Sequence, residues 1–329
     1  MGTDNYEALV AREQAIYNGE RPSASIPSIF TYWASRYLSP RLIAMFGTPI
    51  IEQVFANEII RISKAEGFKE IRIVSLGSGE CSLEIDVTER LRTAGVKCRM
   101  ICTDISPAML EQGRKQVKQA QLLECFEFVK CDVNRNIPLS GHHFILANHC
   151  LHHFVELEAI FAWMKKSLHP RGALITSDMI GRNGHMRWPE AEKYVRRIWD
   201  TLPSEKKFDC INRVRNDQFV NFNCANGTFE GIRAQDIMPI LINTLFFERF
   251  VGYGNLPDIF VDRMYGPNFS PDDSKDLALI DLLEDLNTDL IKAGVIKPTI
   301  MFATLRPHEV ACEFDLISPD RAVRLPSLV

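Results

Sequence analysis

The sequence lacks the features that mark membrane proteins, secreted proteins and zinc-ribbon proteins. Its 329 residues contain no apolar run long enough to cross a bilayer, and the first residues are polar where a secretory signal would be apolar. The nine cysteines include no Cys-x-x-Cys pair, and their odd number does not suit a complete disulfide framework. We therefore expect reduced thiols, a cytoplasmic location and no membrane partner.

An excess of basic residues is also missing. The chain has 38 Lys and Arg residues against 42 Asp and Glu residues, which gives a formal net charge of -4. This balance argues against general binding to a nucleic-acid backbone, so we expect no nucleic-acid partner. Hydrophobic residues make up 46% of the chain, enough for a sizeable core.

A short apolar stretch followed by two glycines is the feature around which the rest is arranged. Residues 71–76 have the pattern of a buried strand, Gly77 and Gly79 follow at once, and residues 83–91 suit a helix. Strand, glycine turn and helix together place backbone N–H groups against a ligand. Glycine is needed there because a Cβ would collide with the ligand or forbid the turn. Alone, the pattern is weak evidence, since many tight turns contain it.

Polar residues end four further predicted strands. These strands cover residues 99–103, 126–131, 144–147 and 173–177, and end at Asp104, Asp132, Asn148 and Asp178. Because helices alternate with the strands, the pattern predicts a parallel, doubly wound α/β sheet. Ligands bind beyond the carboxyl ends of the strands in such sheets, so we expect the polar residues to lie at one edge.

The chain divides into five sections. We predict an N-terminal helical lid at 1–66, an α/β core at 67–180, an inserted substrate cap at 181–243, the remainder of the core at 244–307 and a C-terminal tail at 308–329. The later core contributes two strands, at 246–253 and 299–305. Two local predictions are a turn at residues 169–172 and a helix that starts with Ser270 as N-cap and Pro271 at its first position.

Taken together, these stretches resemble the class I S-adenosylmethionine-dependent methyltransferases of the small-molecule type. The matching stretches are Val-Ser-Leu-Gly-Ser-Gly at 74–79, Thr-Asp-Ile-Ser-Pro-Ala-Met-Leu at 103–110, Val-Lys-Cys-Asp-Val at 129–133, Ala-Asn-His-Cys-Leu-His-His at 147–153 and Leu-His-Pro-Arg-Gly-Ala-Leu-Ile at 168–175. The resemblance implies a mostly parallel seven-stranded Rossmann-like sheet in which strand 299–305 runs antiparallel beside the fifth. The chain departs from the family at Ser75, where an acidic residue is frequent, and at Glu80-Cys81, which replace a small residue.

The resemblance also implies a cofactor, S-adenosylmethionine, which leaves as S-adenosylhomocysteine. The loop Gly77-Ser78-Gly79 would face the amino acid end of the cofactor, and Asp104 would accept hydrogen bonds from both ribose hydroxyls. Asp132 would accept from the adenine amino group.

Four more positions complete the expected cofactor site. Ile105 and Val133 would lie against the adenine ring, and Asn148 would border the sulfonium. Tyr37, in the lid, would either bring its ring near the sulfonium or pack within the lid.

Histidines lie where the family's acceptor sits. His149 and His152 follow the fourth strand and His185 follows the fifth. A neutral imidazole suits a general base, so these three are catalytic candidates; the alternative is that they cap or pack the neighbouring helices. The mixed spacing of the histidines argues against a metal site, so we expect no metal.

The expected reaction is methyl transfer to a small-molecule acceptor, at a hydroxyl or an amine, by in-line displacement. An RNA or protein methyltransferase remains an alternative, although residues 148–151 lack the Asn-Pro-Pro-Tyr motif of many base-modifying members. A nicotinamide-dependent dehydrogenase would have a glycine at Ser82. A non-catalytic S-adenosylmethionine-binding protein also stays open, and the lid and the tail are candidate surfaces for a homodimer.

Overall fold

An eight-stranded sheet forms the centre of the computed structural model, which describes residues 3–18, 25–135, 137 and 140–324. The strands are β1 (Glu70–Leu76), β2 (Lys97–Asp104), β3 (Phe126–Lys130), β4 (His142–Asn148), β5 (Leu168–Met179), β6 (Phe208–Asp209), β7 (Val214–Arg215), β8 (Phe246–Tyr253), β9 (Ile300–Arg306) and β10 (Glu313–Phe314). The sheet has the order β10-β8-β9-β5-β4-β1-β2-β3, and β6 and β7 form a separate two-stranded sheet.

Helices precede the first strand and connect most of the later ones. They are α1 (Thr3–Asn18), α2 (Ser28–Trp33), α3 (Ser39–Phe46), α4 (Ile51–Glu66), α5 (Ser82–Thr93), α6 (Pro107–Gln119), α7 (Leu157–Ser167), α8 (Pro189–Thr201), α9 (Ala234–Thr244), α10 (Asp258–Val261), α11 (Ser274–Lys292) and α12 (Pro319–Ala322). A π-helical stretch, Ala34–Leu38, joins α2 to α3. Among the described residues, none of the helices combines the length and apolar character needed to cross a bilayer.

The strand directions confirm the predicted fold class. Strands β1 to β5 pair in parallel, whereas β9 runs antiparallel to both β5 and β8. The seven predicted strands are all present. The sheet has one strand more, the two-residue β10, because the chain after β9 returns along β8 and pairs Glu313 with Arg249.

Local sequence explains the elements that lead into the site. In β1, Ile71, Ile73 and Val74 are fully buried, so the strand lies in the middle of the core. Helix α6 begins at Pro107, because the Ser106 Oγ caps it by accepting a hydrogen bond from the Met109 N–H at 3.3 Å. Both elements border the same edge of the sheet.

The predicted turn at residues 169–172 is wrong. These residues belong to β5, because Leu168 pairs with His142 before the register shifts at Phe144. Gly172 permits the close approach of the two strands: a Cβ at this position would lie 2.1 Å from the His143 carbonyl oxygen.

The predicted start of the last long helix is also wrong. Helix α11 begins at Ser274, and Asp273 is its N-cap, accepting from the Lys275 N–H at 2.8 Å. The Ser270 N–H instead donates to the Asp276 carboxylate at 2.8 Å, so this residue lies in the loop that approaches the helix.

The N-terminal section does not form one cover over the strand ends. Helix α3 packs against β8, and α4 packs against β5 and α5, so these helices complete the core. Of the N-terminal helices that the structure describes, α1 alone lines the edge where β1, β2 and β4 end, where it also contacts α6.

Candidate functional site

An open cleft of about 770 Å³, including space continuous with solvent, lies at the carboxyl ends of β1, β2 and β4. Seven of the residues predicted from the sequence line it: Gly77, Gly79, Asp104, Ile105, Asp132, Val133 and His149. The cleft is therefore where the sequence places it, at the ligand-binding edge of the parallel sheet.

The glycine turn forms one wall of the cleft. Gly77 and Gly79 have left-handed backbones, with φ of 59° and 54°. A Cβ on Gly77 would lie 2.9 Å from the Cys150 Cβ, so the backbone of the turn packs directly against the Cys150 side chain in the segment after β4. The Ser78 N–H donates to the Thr103 carbonyl at 2.9 Å and holds the turn against β2. A side chain at either glycine would thus disturb the wall.

Two carboxylates line the cleft at the ends of β2 and β3. The Asp104 carboxylate accepts one N–H on each oxygen, from Ser106 at 2.8 Å and from Gly79 at 3.0 Å. Burial raises the pKa of Asp104, and these N–H groups oppose the rise. Each oxygen keeps a free lone pair, so the carboxylate can still accept from a ligand.

Asp132 also forms a hydrogen bond with the N-terminal helix. Its Oδ1 accepts from the Tyr6 hydroxyl at 2.8 Å and from the Asn134 N–H at 3.1 Å, and its Oδ2 lies 3.5 Å from the Arg135 Nε. Burial, and to a lesser extent the hydrogen bond to Asp132, raises the pKa of Tyr6 well above its ordinary value. The Tyr6 phenol therefore stays neutral and donates to Asp132.

Helix α1, from the predicted lid, and the inserted segment, predicted as a cap, form a roof whose individual residues the sequence does not reveal. Tyr6 and Glu13 of α1 line the cleft, and the Gln14 Nε2 donates to the Ile105 carbonyl at 3.2 Å. Phe229, from the insertion, lines it as well and packs against the Tyr6 ring with centroids 5.6 Å apart. No local motif marks these residues, because each meets the core only through the tertiary fold.

Three predicted cofactor residues lie outside the cleft lining. The Tyr37 hydroxyl donates to the Asp281 carboxylate on α11 at 2.7 Å, so the expectation that its ring closes over the cleft does not hold in this structure. Ser78 turns towards Thr103. Asn148 lies at the end of β4, and its buried Oδ1 has no hydrogen-bond partner among the described residues.

His149 is the only predicted catalytic histidine that lines the cleft within the described residues. Its backbone is left-handed, with φ of 49°, and its N–H donates to the Ser177 carbonyl at 2.8 Å. The residue is exposed to solvent through the cleft. Burial lowers the pKa of His149, so the imidazole is neutral at neutral pH and offers a lone pair.

His152 lies beneath the cleft, between two carboxylates. Its Nδ1 is 2.6 Å from the Asp178 Oδ1, and its Nε2 is 3.3 Å from the Glu230 Oε1. Burial opposes the charged ring, but the facing carboxylates outweigh it and raise the pKa of His152 to about 10. His152 is therefore an imidazolium at neutral pH and has no free lone pair.

Glu230 contacts the histidines that surround it. The His185 Nε2 lies 2.7 Å from its Oε1, and the His153 Nε2 lies 3.5 Å from its Oε2. Burial alone would raise the pKa of Glu230, yet the neighbouring histidines hold it well below its usual range. The insertion thus supplies the carboxylate that contacts these histidines.

The structure can be compared with known proteins. Residues 75–176 match the family model described as a methyltransferase domain. Among solved structures, a geranyl diphosphate methyltransferase in complex with GPP and sinefungin is 14% identical, with 91% of this chain and 99% of that chain covered and a TM-score of 0.49. Geranyl diphosphate C-methyltransferase from Streptomyces coelicolor A3(2) is 10% identical, with 93% and 99% covered and a TM-score of 0.46.

A third similar structure covers a smaller share of the chain. DszA carbon methyltransferase is 19% identical with a TM-score of 0.35, and the alignment covers 39% of this chain and 35% of that one. No curated protein matches the chain significantly in sequence.

The family match covers the strands that build the cleft. A turn with no room for a Cβ at Gly77, followed by an acidic residue at the end of β2, fits a nucleoside cofactor whose ribose and amino acid parts need close backbone approach. The resemblance found in the sequence is therefore confirmed over this part of the chain. Residues 75–176 are a class I S-adenosylmethionine-dependent methyltransferase domain, and the protein is an enzyme that uses S-adenosylmethionine.

Proposed function

We propose that this enzyme methylates a small-molecule acceptor, at a hydroxyl or an amine, in the space that His149 faces. One observation carries the proposal: the cleft is roofed by Tyr6, Glu13 and Phe229, and His149 faces its interior. A roof of this kind favours an acceptor that fits under it over a nucleic-acid or protein chain. The net charge of -4 also supports a small acceptor over RNA.

The cofactor would be held by residues that line the cleft. The backbone of Gly77 and Gly79 leaves room for its amino acid end, and Asp104 would accept from its ribose. Asp132, with Ile105 and Val133 nearby, would take the adenine. S-adenosylmethionine supplies a methyl group already activated by a positively charged sulfur.

The chain itself then has three tasks. It orients the acceptor, excludes water under the roof and takes up the acceptor's proton. We assign the last task to the His149 side chain, because its lowered pKa keeps it neutral and its backbone bond to Ser177 fixes its position. His152 and His185 face carboxylates, so we assign them no direct proton transfer in this reaction.

The test is turnover with S-adenosylmethionine and a panel of small alcohols, phenols and amines, read by mass spectrometry as the gain of one methyl group. His149→Ala should lower kcat by about 10²–10⁴ while cofactor affinity, measured by calorimetry, changes little. The wild-type rate should hold to below pH 6.5 and then fall in acid, as the depressed pKa of His149 requires.

The matched control is His308→Ala. His308 is an exposed histidine whose Nδ1 contacts the Pro170 carbonyl, on a surface that does not line the cleft. A normal rate in His149→Ala would remove its role as base. Methylation of RNA or protein but of no small molecule, or cofactor binding without any turnover, would favour the alternatives to this proposal.

A further inference from the structure

A cluster of two histidines and one glutamate lies beside the cleft and takes no part in the proposed reaction. One ring nitrogen of His152, one of His185 and a Glu230 carboxylate oxygen lie within 4.8 Å of one another. They come from three parts of the chain, and His185 and Glu230 are 45 positions apart. The fold therefore brings Glu230 to histidines that are distant from it in sequence.

The spacing of the ligand atoms suits a single ion. Bonds of about 2.0–2.1 Å to a tetrahedral Zn²⁺ place neighbouring ligand atoms about 3.3–3.4 Å apart. The His152 Nε2 and the Glu230 Oε1 are 3.3 Å apart, and the His185 Nε2 and the same oxygen are 2.7 Å apart. The second pair needs to open, by a rotation of the Glu230 carboxylate.

The first ligand already has the support that metal-binding histidines have. The Asp178 Oδ1 holds the His152 Nδ1 at 2.6 Å, which aims the Nε2 at Glu230. Asp178 is itself fixed by the N–H groups of Cys150 and Leu151, at 2.9 and 2.7 Å. A histidine oriented by a buried carboxylate is the arrangement that fixes the ring for metal binding.

The other two ligands are brought together by a backbone contact between glycines. The Gly184 N–H, beside His185, donates to the carbonyl of Gly231, beside Glu230, at 2.8 Å. A Cβ on Gly184 would lie 1.8 Å from the Asn223 Oδ1, and one on Gly231 would lie 3.0 Å from the His185 Cε1. The approach of His185 to Glu230 therefore depends on two positions that lack side chains.

We propose that His152, His185 and Glu230 bind one divalent transition-metal ion of the Zn²⁺ type. Two imidazoles and one carboxylate are a three-ligand set that leaves a fourth position open. The Glu230 side chain is 42% exposed, so a water or a ligand oxygen can reach that position. The ion takes the place of the proton between His152 and Glu230, and that proton is released to solvent.

Charge balance favours the same ion. Asp178 and Glu230 bring two negative charges to His152, and Glu13 lies 3.3 Å from the neighbouring His153. A doubly charged cation compensates the first two when the histidines are neutral. The alternative is an ion-pair network in which protonated histidines alone tie the insertion to the core, with no ion bound. Metal binding distinguishes the two.

The experiment uses the full chain without a polyhistidine tag, stripped with a chelator and titrated with Zn²⁺ by calorimetry and with Co²⁺ by visible absorption. We expect one equivalent to bind and the Co²⁺ spectrum to show tetrahedral nitrogen and oxygen ligands. Glu230→Gln and His185→Gln should each weaken Zn²⁺ binding at least tenfold. Circular dichroism checks that both variants fold.

His308→Gln is the control, since it removes an exposed histidine elsewhere and should leave Zn²⁺ binding unchanged. Absence of stoichiometric binding would overturn the proposal, and so would binding that both cluster variants leave intact. A cobalt–thiolate band would place the ion on one of the free cysteines and would also overturn it. None of these outcomes depends on which acceptor the enzyme methylates.

Discussion

Gly77 is the residue at which backbone conformation and cofactor binding are most closely joined. Its φ is 59°, and a Cβ on it would lie 2.9 Å from the Cys150 Cβ, so any side chain is both strained and obstructed. Gly77→Ala should lower the affinity for S-adenosylhomocysteine more than tenfold, because the turn must shift to relieve the contact. Calorimetry measures the affinity.

Gly47→Ala is the matched control. Gly47 has a φ of 79° at the end of α3, but no atom lies within 4 Å of where its Cβ would be. The Gly47→Ala variant should lose about 1 kcal/mol of unfolding free energy to left-handed strain. Its affinity for S-adenosylhomocysteine should be unchanged. Equal affinities in the two variants would show that the turn does not border the cofactor.

Residue identities near the glycine turn are predictable because they lie on contiguous motifs. Gly77, Asp104 and Asp132 each end a strand whose apolar pattern is visible in the sequence, and parallel strands bring their ends to one edge. Glu230 and Tyr6 are not predictable in this way. Their positions depend on where a long insertion and an N-terminal helix fold back, and neither is encoded by local periodicity.

Ser75 illustrates a substitution that the structure explains. It stands where the family often has an acidic residue, and its Oγ donates to the buried carboxylate of Glu84 in the first turn of α5. The acidic group therefore comes from the helix instead of the strand. Burial, opposed by the Ser75 hydrogen bond, raises the pKa of Glu84 to about 7.

The pairing of α5 with β1 should therefore depend on pH. The folded-state pKa of Glu84, about 7, lies above its ordinary value of 4.5, so protonated Glu84 favours folding below pH 4.5 and this stabilisation is lost as the pH rises through 7. The loss amounts to about 3 kcal/mol of unfolding free energy. Glu84→Gln should remove it, so the variant gains stability over wild type between pH 5 and 8 in urea titrations.

Glu89→Gln, on the exposed side of the same helix, gives the comparison. Its stability should follow that of wild type across the whole range. If the difference between Glu84→Gln and wild type stays constant with pH, Glu84 does not change its protonation in the folded protein.

Helix α1 is the element whose role the sequence describes least well. The sequence predicts it as part of a lid over residues 1–66, but α2, α3 and α4 belong to the core and only α1 lies over the cleft. The amphipathic pattern of α4 indicates a buried face without saying which surface buries it. The same limit explains the helix start at Ser270, where two competing caps lie a few residues apart and the tertiary bond to Asp276 decides.

Weakening the contact between α1 and the cleft should make hydrogen exchange in α1 sensitive to bound ligand. Tyr6→Phe removes the hydroxyl that bonds Asp132 and should raise amide hydrogen exchange in residues 3–18, with S-adenosylhomocysteine restoring protection. Tyr32→Phe is the control, because it removes an equivalent bond to Asp281, which does not line the cleft. Exchange in α1 that neither Tyr6→Phe nor the ligand alters would show that the helix is not a functional roof.

At the scale of the whole molecule, the cleft joins parts of the chain that are far apart in sequence. Helix α1, the strand ends of the methyltransferase domain and the inserted Phe229 all line it. A ligand in the cleft contacts structure from each part, so binding should stabilise the fold as a unit. At a ligand concentration one hundred times Kd, the added stability is about 2.7 kcal/mol, which corresponds to a rise of several degrees in Tm.

Asp104 should determine how strongly a bound ligand stabilises the fold. Asp104→Asn keeps the shape of the side chain but removes the charge that accepts from the ribose, so S-adenosylhomocysteine should bind roughly 10- to 100-fold more weakly and the rise in Tm at a fixed ligand concentration should shrink. Asp86→Asn, which breaks a half-exposed pair with Arg90 on α5, should keep the full rise. An undiminished rise in Asp104→Asn would mean that the ligand is held without this carboxylate, and that the turn and roof alone account for its binding.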